Sequence, residues 1–313
     1  MASTLGIDIG GTKIAGAVVD DDGRIGARLS VPTPTEGTEP LLTAIAAVVE
    51  HLRTPQTDSA GLSVAGFVDA ARSGVYFAPN LPLRDIALHA EITRRTGLAT
   101  VIENDGNAAA WAEFRFGAGR DAQHMLMVAV GTGVGGGLVL DGRLQRGGHG
   151  VAGEIGHLRA VPGGLPCPCG RLGCLEQYAS GSALQRNARQ AVAGDPQAGR
   201  ALLAVAGGDP QALLGPQVTE VAATGDPLAT ALVAEVGRHL GEGIADLVAV
   251  LDPEVIVLGG GVAESGELLA GPVRQALAAN LTGAGHRPFG VVRTALLGNG
   301  AAIVGAADLA RQA

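Results

Sequence analysis

Every cysteine of the 313-residue chain falls in one stretch, "CPCGRLGCLEQ", residues 167–177. Cys167, Cys169 and Cys174 offer three thiolates, and His157, in the preceding "GEIGH", offers an imidazole. Three sulfurs and one ring nitrogen, with no open position, are the donor set of a structural Zn²⁺. The linking "RAVPGGLP" is too short and too rich in Pro and Gly to fold alone, so ligation would couple to its folding. The competing possibility is three reactive thiols beside a core histidine. Two acids, Glu154 and Glu176, bracket the stretch. A carboxylate can accept from two hydroxyls, so the knot is read as one wall of a pocket for a polyhydroxyl ligand. A metal-bound His157 would turn its second ring nitrogen outward toward that ligand. For Glu176, plain solvent exposure is the competing reading.

A second group of chemical residues lies at a strand end. "GLATVIENDGNAAAWAEFRFGAG" predicts a strand over 99–103 and a helix over about 106–116. Asn104 and Asp105 sit at the strand's carboxyl end, where open α/β sheets bind ligands. Asp105 is read as a general base for a substrate hydroxyl, and Asn104 as the group that fixes a neighbouring hydroxyl. Asp105 could instead be the helix N-cap, a position that favours Asp and Asn. One carboxylate beside phosphate-holding turns suits phosphoryl transfer, which is mostly positioning and charge stabilisation. Asp8, near Gly10, is a candidate partner for Mg²⁺ or its water, or else a polar cap of its turn. Gly66 ends a strand in "GLSVAGFVDAARSGVYFAPNLPL", ahead of a loop carrying Asn80. It could bring backbone against a substrate or serve as ordinary loop.

The elements that hold these residues repeat. "LGIDIGGTKIAGAVVD" (5–20) aligns without a gap on "LMVAVGTGVGGGLVLD" (126–141), at an offset of 121. Each reads as apolar strand, Gly/Thr turn, apolar strand. Glycines let backbone N–H groups approach an anion, and Thr12 and Thr132 add hydroxyl donors. The matched pair predicts two phosphate-holding turns in a duplicated protein, where one alone would read as a tight hairpin. A third turn, Gly259-Gly260-Gly261, follows a predicted strand over 255–258 and precedes a helix. It is either another ligand turn or a simple corner. Gly131-x-Gly133-x-x-Gly136 fits the dinucleotide pattern but joins strand to strand, and "GGTK" lacks the spacing and helix of a P-loop.

The composition narrows the class. Hydrophobic residues make up 47% of the chain, and no apolar run reaches the ~18 residues of a membrane span. Net charge is −8, and the 22 basic residues, one of them lysine, are scattered, so nucleic acid is not an expected partner. The clustered, odd cysteine count suits a reducing cytoplasm, and no secretory leader is visible.

Together "DIGGTK", "ENDGNAAA", "GTGVGGG…GG…GEIGH", "CPCGRLGCLE" and "LDPEVIVLGGGV" resemble the ROK family of repressors, open reading frames and sugar kinases, within the actin/hexokinase superfamily. The motifs cover nearly the whole chain in order. The resemblance implies an α/β fold of two ribonuclease-H-like domains with a central cleft. These would be 1–118 with 298–313, the C-terminal helix swinging back, and 119–297 carrying the zinc. It implies ATP at Asp8, Gly10, Gly11, Thr12, Lys13, Thr132, Gly133, Gly259, Gly260 and Gly261, with Mg²⁺. It implies sugar contacts from Gly66, Asn104, Asp105, Glu154, His157 and Glu176, Asp105 as base, and structural zinc on His157, Cys167, Cys169 and Cys174. The implied activity is ATP-dependent phosphorylation of a hexose, glucose first, in a cytoplasmic homodimer or homotetramer. Alternatives are mannose, fructose or N-acetylmannosamine as acceptor, or a non-catalytic sugar-sensing regulator. The family's repressors carry a DNA-binding extension before the first strand, and none is expected here. Two departures concern the substrate side: "NLP" runs straight into "LRD" without the family's glycine–tryptophan pair, and Gly106 follows Asp105 where alanine is usual.

Overall fold

The computed structural model describes residues 3–313. Its first sheet has the order β3-β2-β1-β4-β8, with β1 (Ser3–Ile9), β2 (Lys13–Val19), β3 (Ile25–Pro32), β4 (Thr57–Val64) and β8 (Ala99–Asn104). Three short strands, β5 (Phe67–Val68), β6 (Val75–Phe77) and β7 (Arg84–Ile86), form a small separate sheet. β1 runs antiparallel to β2 and parallel to β4, and β4 parallel to β8. The hairpin expected over 5–20 is therefore present, with Ile9 opposite Ile14 across its turn.

Strand β1 is covered on both faces, with Leu5, Ile7 and Ile9 on one and Thr4, Gly6 and Asp8 on the other. Leu5, Ile7 and Ile9 pack with Leu41, Ile45 and Val48 of α1 (Thr38–Leu52) and Leu88 and Ile92 of α2 (Leu88–Thr96). On the other face lie α3 (Asp105–Phe116) and α10 (Ala301–Arg311), the last helix of the chain. Gly6 and Gly61 make room for α10. A Cβ at either would run into the backbone of Ile303 or Ala306.

The second sheet repeats the order as β11-β10-β9-β12-β13, formed by β9 (Met125–Val130), β10 (Val134–Leu140), β11 (Arg143–Leu144), β12 (Val255–Gly259) and β13 (Val291–Thr294). Its helices are α4 (Glu176–Ala179), α5 (Gly181–Gly194), α6 (Arg200–Val205), α7 (Gly215–Ala223), α8 (Pro227–Leu251) and α9 (Glu267–Asn280). Helix α8 starts cleanly: Pro227 supplies the preset φ of a first turn, and the Asp226 side chain accepts from Ala229 N–H at 2.9 Å. The two sheets share one strand order, and the expected repeated hairpin forms the β1–β2 and β9–β10 pairs within it.

Internal contacts group the chain into two units, residues 1–126 with 137–153 and 295–313, and residues 127–136 with 154–294. Among the described residues no helix is long and apolar enough to cross a membrane.

Candidate active site

In the first unit the chain passes from β8 into α3 with no intervening loop. Strand β8 runs one residue further than the sequence pattern suggested, and the helix begins at Asp105. Asn104 is the N-cap: its Oδ1 accepts from Asn107 N–H at 3.0 Å. Its Nδ2 donates to Asp105 Oδ1 at 3.0 Å and to the Gly66 carbonyl at 3.1 Å. Asp105 Oδ1 also accepts from Gly106 N–H at 2.9 Å. Gly66, Asn104 and Asp105 therefore form one hydrogen-bonded group at the strand ends. Gly66 has no room for a side chain, because a Cβ would lie 2.8 Å from that of Ala78.

Beneath this group lies Glu103, which the sequence reading did not single out. It is 1% exposed. Its Oε1 accepts from Asn104 N–H and Asn107 Nδ2, each at 3.1 Å. Its Oε2 takes the Nε of Arg146 and lies 3.4 Å from the Nε of Arg72. Burial pushes the Glu103 carboxyl up, against the pull of Asn107 and Arg72.

The first glycine turn closes through Gly10 N–H to the Lys13 carbonyl at 3.1 Å, and Thr33 Oγ1 donates to the Gly10 carbonyl at 2.7 Å. Thr12 and Lys13 are exposed. Asn80 packs on the turn: a Cβ at Gly11 would come within 2.8 Å of its own. Asp8, at the end of β1, accepts from Ser63 Oγ at 2.8 Å. Burial raises its pKa, opposed by the Ser63 bond and the charge of Lys13.

In the second unit the matching turn closes through Gly131 N–H to the Gly133 carbonyl at 3.0 Å. The start of α5 is tied to it: Gly181 N–H donates to Gly131 O at 2.8 Å and Ser182 N–H to Thr132 O at 3.2 Å. Gly260 takes φ 84°, open to glycine at little strain, and its Cα lies against the Val130 backbone, where a side chain would collide. A 3₁₀ turn, Gly261–Ser265, then precedes α9 where the sequence pattern suggested a direct helix. A cavity of about 600 Å³ lies between these turns, lined by Thr132, Gly181, Thr219, Glu220, Gly261 and Ser265 among others. Gly259 is the last residue of β12, outside that lining. The wall from α5 and α7 carried no motif and was missed.

His157, Cys167, Cys169 and Cys174 converge, all four donor atoms lying within 4.8 Å of one another. Cys167 Sγ is 3.7 Å from His157 Nδ1, and Cys169 Sγ is 3.6 Å from Cys174 Sγ. A tetrahedron with Zn–S near 2.3 Å and Zn–N near 2.0 Å has edges of about 3.5–3.8 Å, close to these two separations, and the donor chemistry is that of a zinc site. Gly170, at φ 88°, permits the tight turn in which Cys167 O accepts from Gly170 N–H at 3.0 Å. Tyr178 of α4 anchors the loop, its hydroxyl accepting from Leu165 N–H at 2.7 Å. Burial, reinforced by the other two sulfurs, pushes the Cys174 thiol up to about 12. A cation would reverse that preference by binding thiolate.

With Nδ1 toward the sulfurs, His157 Nε2 faces Glu154 Oε2 at 3.9 Å. Glu154 keeps 39% of its side chain exposed, yet partial burial raises its pKa, His157 opposes this and the Glu176 charge adds to it. Glu176 Oε2 accepts from Val134 N–H at 3.0 Å. Two carboxylates and an imidazole edge thus share one wall beside the donor cluster.

The profile of the ROK family matches residues 4–313. The chain belongs to the ROK family. It is 44% identical over 313 residues to a glucokinase of Streptomyces coelicolor, covering 100% of this chain and 98% of that one. An N-acetylmannosamine kinase of Citrobacter koseri is 38% identical over 266 residues, 83% of each chain. Among solved structures, a ROK family glucokinase from Streptomyces griseus in complex with glucose and AMPPNP superposes with a TM-score of 0.92 at 44% identity, covering 100% of both chains. The two-sheet architecture described above is thus that of ROK sugar kinases in the actin/hexokinase superfamily.

Proposed function

We propose that this ROK protein is a hexose kinase that transfers the γ-phosphoryl group of ATP to the 6-hydroxyl of glucose. The observation that carries the reading is the hydrogen-bonded set Gly66–Asn104–Asp105 at the head of α3, in a chain 44% identical over its full length to a glucokinase. Asp105 takes the proton of the 6-hydroxyl as that oxygen attacks phosphorus, and the bond to the ADP oxygen breaks. Asn104, fixed by Gly66 and Asn107, holds the carboxylate and orients a neighbouring hydroxyl. Glu154, Glu176 and His157 Nε2 accept from or donate to the remaining sugar hydroxyls.

The nucleotide substrate, as its Mg²⁺ complex, binds through backbone N–H groups of the Gly10–Thr12 and Gly131–Gly133 turns, with Lys13 and the two threonine hydroxyls as added donors. The 600 Å³ cavity is of a size to take the nucleoside part, at Gly261. Asp8 is the carboxylate placed to meet the magnesium ion or its water. His157, Cys167, Cys169 and Cys174 would hold a zinc ion whose part is structural, fixing residues 157–174 and so the two glutamates on either side. A second reading, N-acetylmannosamine as acceptor, is favoured by the 38% identity to a kinase for that sugar. Turnover of purified protein with Mg-ATP on a sugar panel tests both.

A further inference from the structure

Glu176, read above as an acceptor for sugar hydroxyls, is also built into the turn that faces the nucleotide cavity. Its Oε2 accepts the Val134 amide at 3.0 Å, a bond between residues 42 apart in sequence. The fit around it is close. A Cβ at Gly133 would lie 2.1 Å from that same carboxylate oxygen. Val134 opens β10, and the residues before it, Gly131 and Thr132, line the cavity. Glu176 opens α4, two residues after the metal donor Cys174.

We propose that Glu176 is a positioning residue for the nucleotide turn as well as a sugar ligand, and that it couples the two substrate sites. The proposal rests on the kinase reading and deepens it. A carboxylate has about four lone-pair sites, so it can accept Val134 N–H and two sugar hydroxyls together. The charge-assisted N–H···O⁻ bond is stronger than a neutral one and directional enough to hold the turn. Sugar hydroxyls fix the carboxylate, the fixed carboxylate fixes the Val134 amide, and the Gly131–Thr132 backbone is held in its anion-binding form. Linkage makes the effect reciprocal: nucleotide must tighten sugar by the same factor.

The decisive measurement is AMPPNP binding, with Mg²⁺ and without sugar, by titration calorimetry. A residue that touched only sugar would leave this quantity alone. Glu176→Ala is expected to weaken sugar-free AMPPNP binding at least about tenfold, the scale of losing a bond to a charged acceptor. Glu176→Gln keeps an oxygen for Val134 N–H and should stay within about threefold of wild type. Saturating glucose should tighten AMPPNP on the wild type by about fivefold or more. If Glu176→Ala fails to fold, the effect of glucose on wild-type AMPPNP affinity carries the test, since it needs no variant. A folded Glu176→Ala with wild-type sugar-free affinity, or glucose without effect on wild-type AMPPNP affinity, would overturn the coupling alone. Wild-type protein that binds no AMPPNP would overturn the kinase reading, and the coupling with it.

Discussion

Arg146 donates through Nε to the buried carboxylate of Glu103, directly beneath the Asn104–Asp105 pair. Arg72 joins from a second loop, 3.4 Å from the same oxygen. The other carboxylate oxygen holds Asn104 N–H and Asn107 Nδ2. One buried acid thus fastens two loops to the head of the helix that starts at Asp105. Glu103→Ala would leave two guanidiniums facing each other without their counter-charge and two amides without their acceptor. We expect it to destabilise the fold by about 3 kcal/mol in urea denaturation. Glu103→Gln keeps the acceptor for the amides and should be the milder change.

Asp105→Asn tests the base. The amide can keep the bond from Gly106 N–H, so the variant should fold and bind metal and glucose. It cannot take the proton. Turnover should fall roughly 10²–10⁴-fold with little change in sugar affinity. Near-normal turnover would remove Asp105 from the role.

Cys169→Ser tests the knot. Cys169 is the exposed donor of the four, so the change should disturb packing least. The expected outcome is loss of stoichiometric zinc, measured by elemental analysis, and weaker glucose binding. A zinc-free variant with unchanged glucose affinity would separate the knot from the pocket.

Asp8 gives a pH-dependent prediction. Burial raises its pKa in the folded state, so the unfolded chain ionises more readily. Folding therefore favours the protonated form. The stability associated with it is complete below the unfolded value, about 4, and declines as pH rises through the higher folded value. Asp8→Asn removes that decline. Its melting temperature should exceed that of wild type at pH 7–8, and the gain should vanish near pH 4. Its turnover with Mg-ATP should fall, so that the two effects together mark a charge kept for function.

Much of this was legible in the sequence because each signal was local or repeated. The offset of 121 between two glycine hairpins announced a duplication, and the two sheets repeat one strand order. The donor set declared itself because three cysteines and a histidine lie within one short stretch, and the structure brings their donor atoms within 4.8 Å. What stayed hidden depends on contacts between remote segments. Glu103 reads as an ordinary strand residue until Arg72 and Arg146 arrive from separate loops. The Val134–Glu176 bond spans 42 residues. Thr219 and Glu220 line the cavity from α7, an amphipathic helix with no motif. At the head of α3 the sequence pointed to Asp105 as the alternative cap, and the side-chain geometry makes the cap Asn104 instead.

The central claim is tested most directly by a coupled assay of the purified protein with Mg-ATP on glucose, mannose, fructose and N-acetylmannosamine. Fast turnover on glucose, with the others weak, is the result predicted. No turnover on any sugar, from protein that holds zinc and binds glucose, would contradict the kinase reading and leave a sugar-binding regulator in its place.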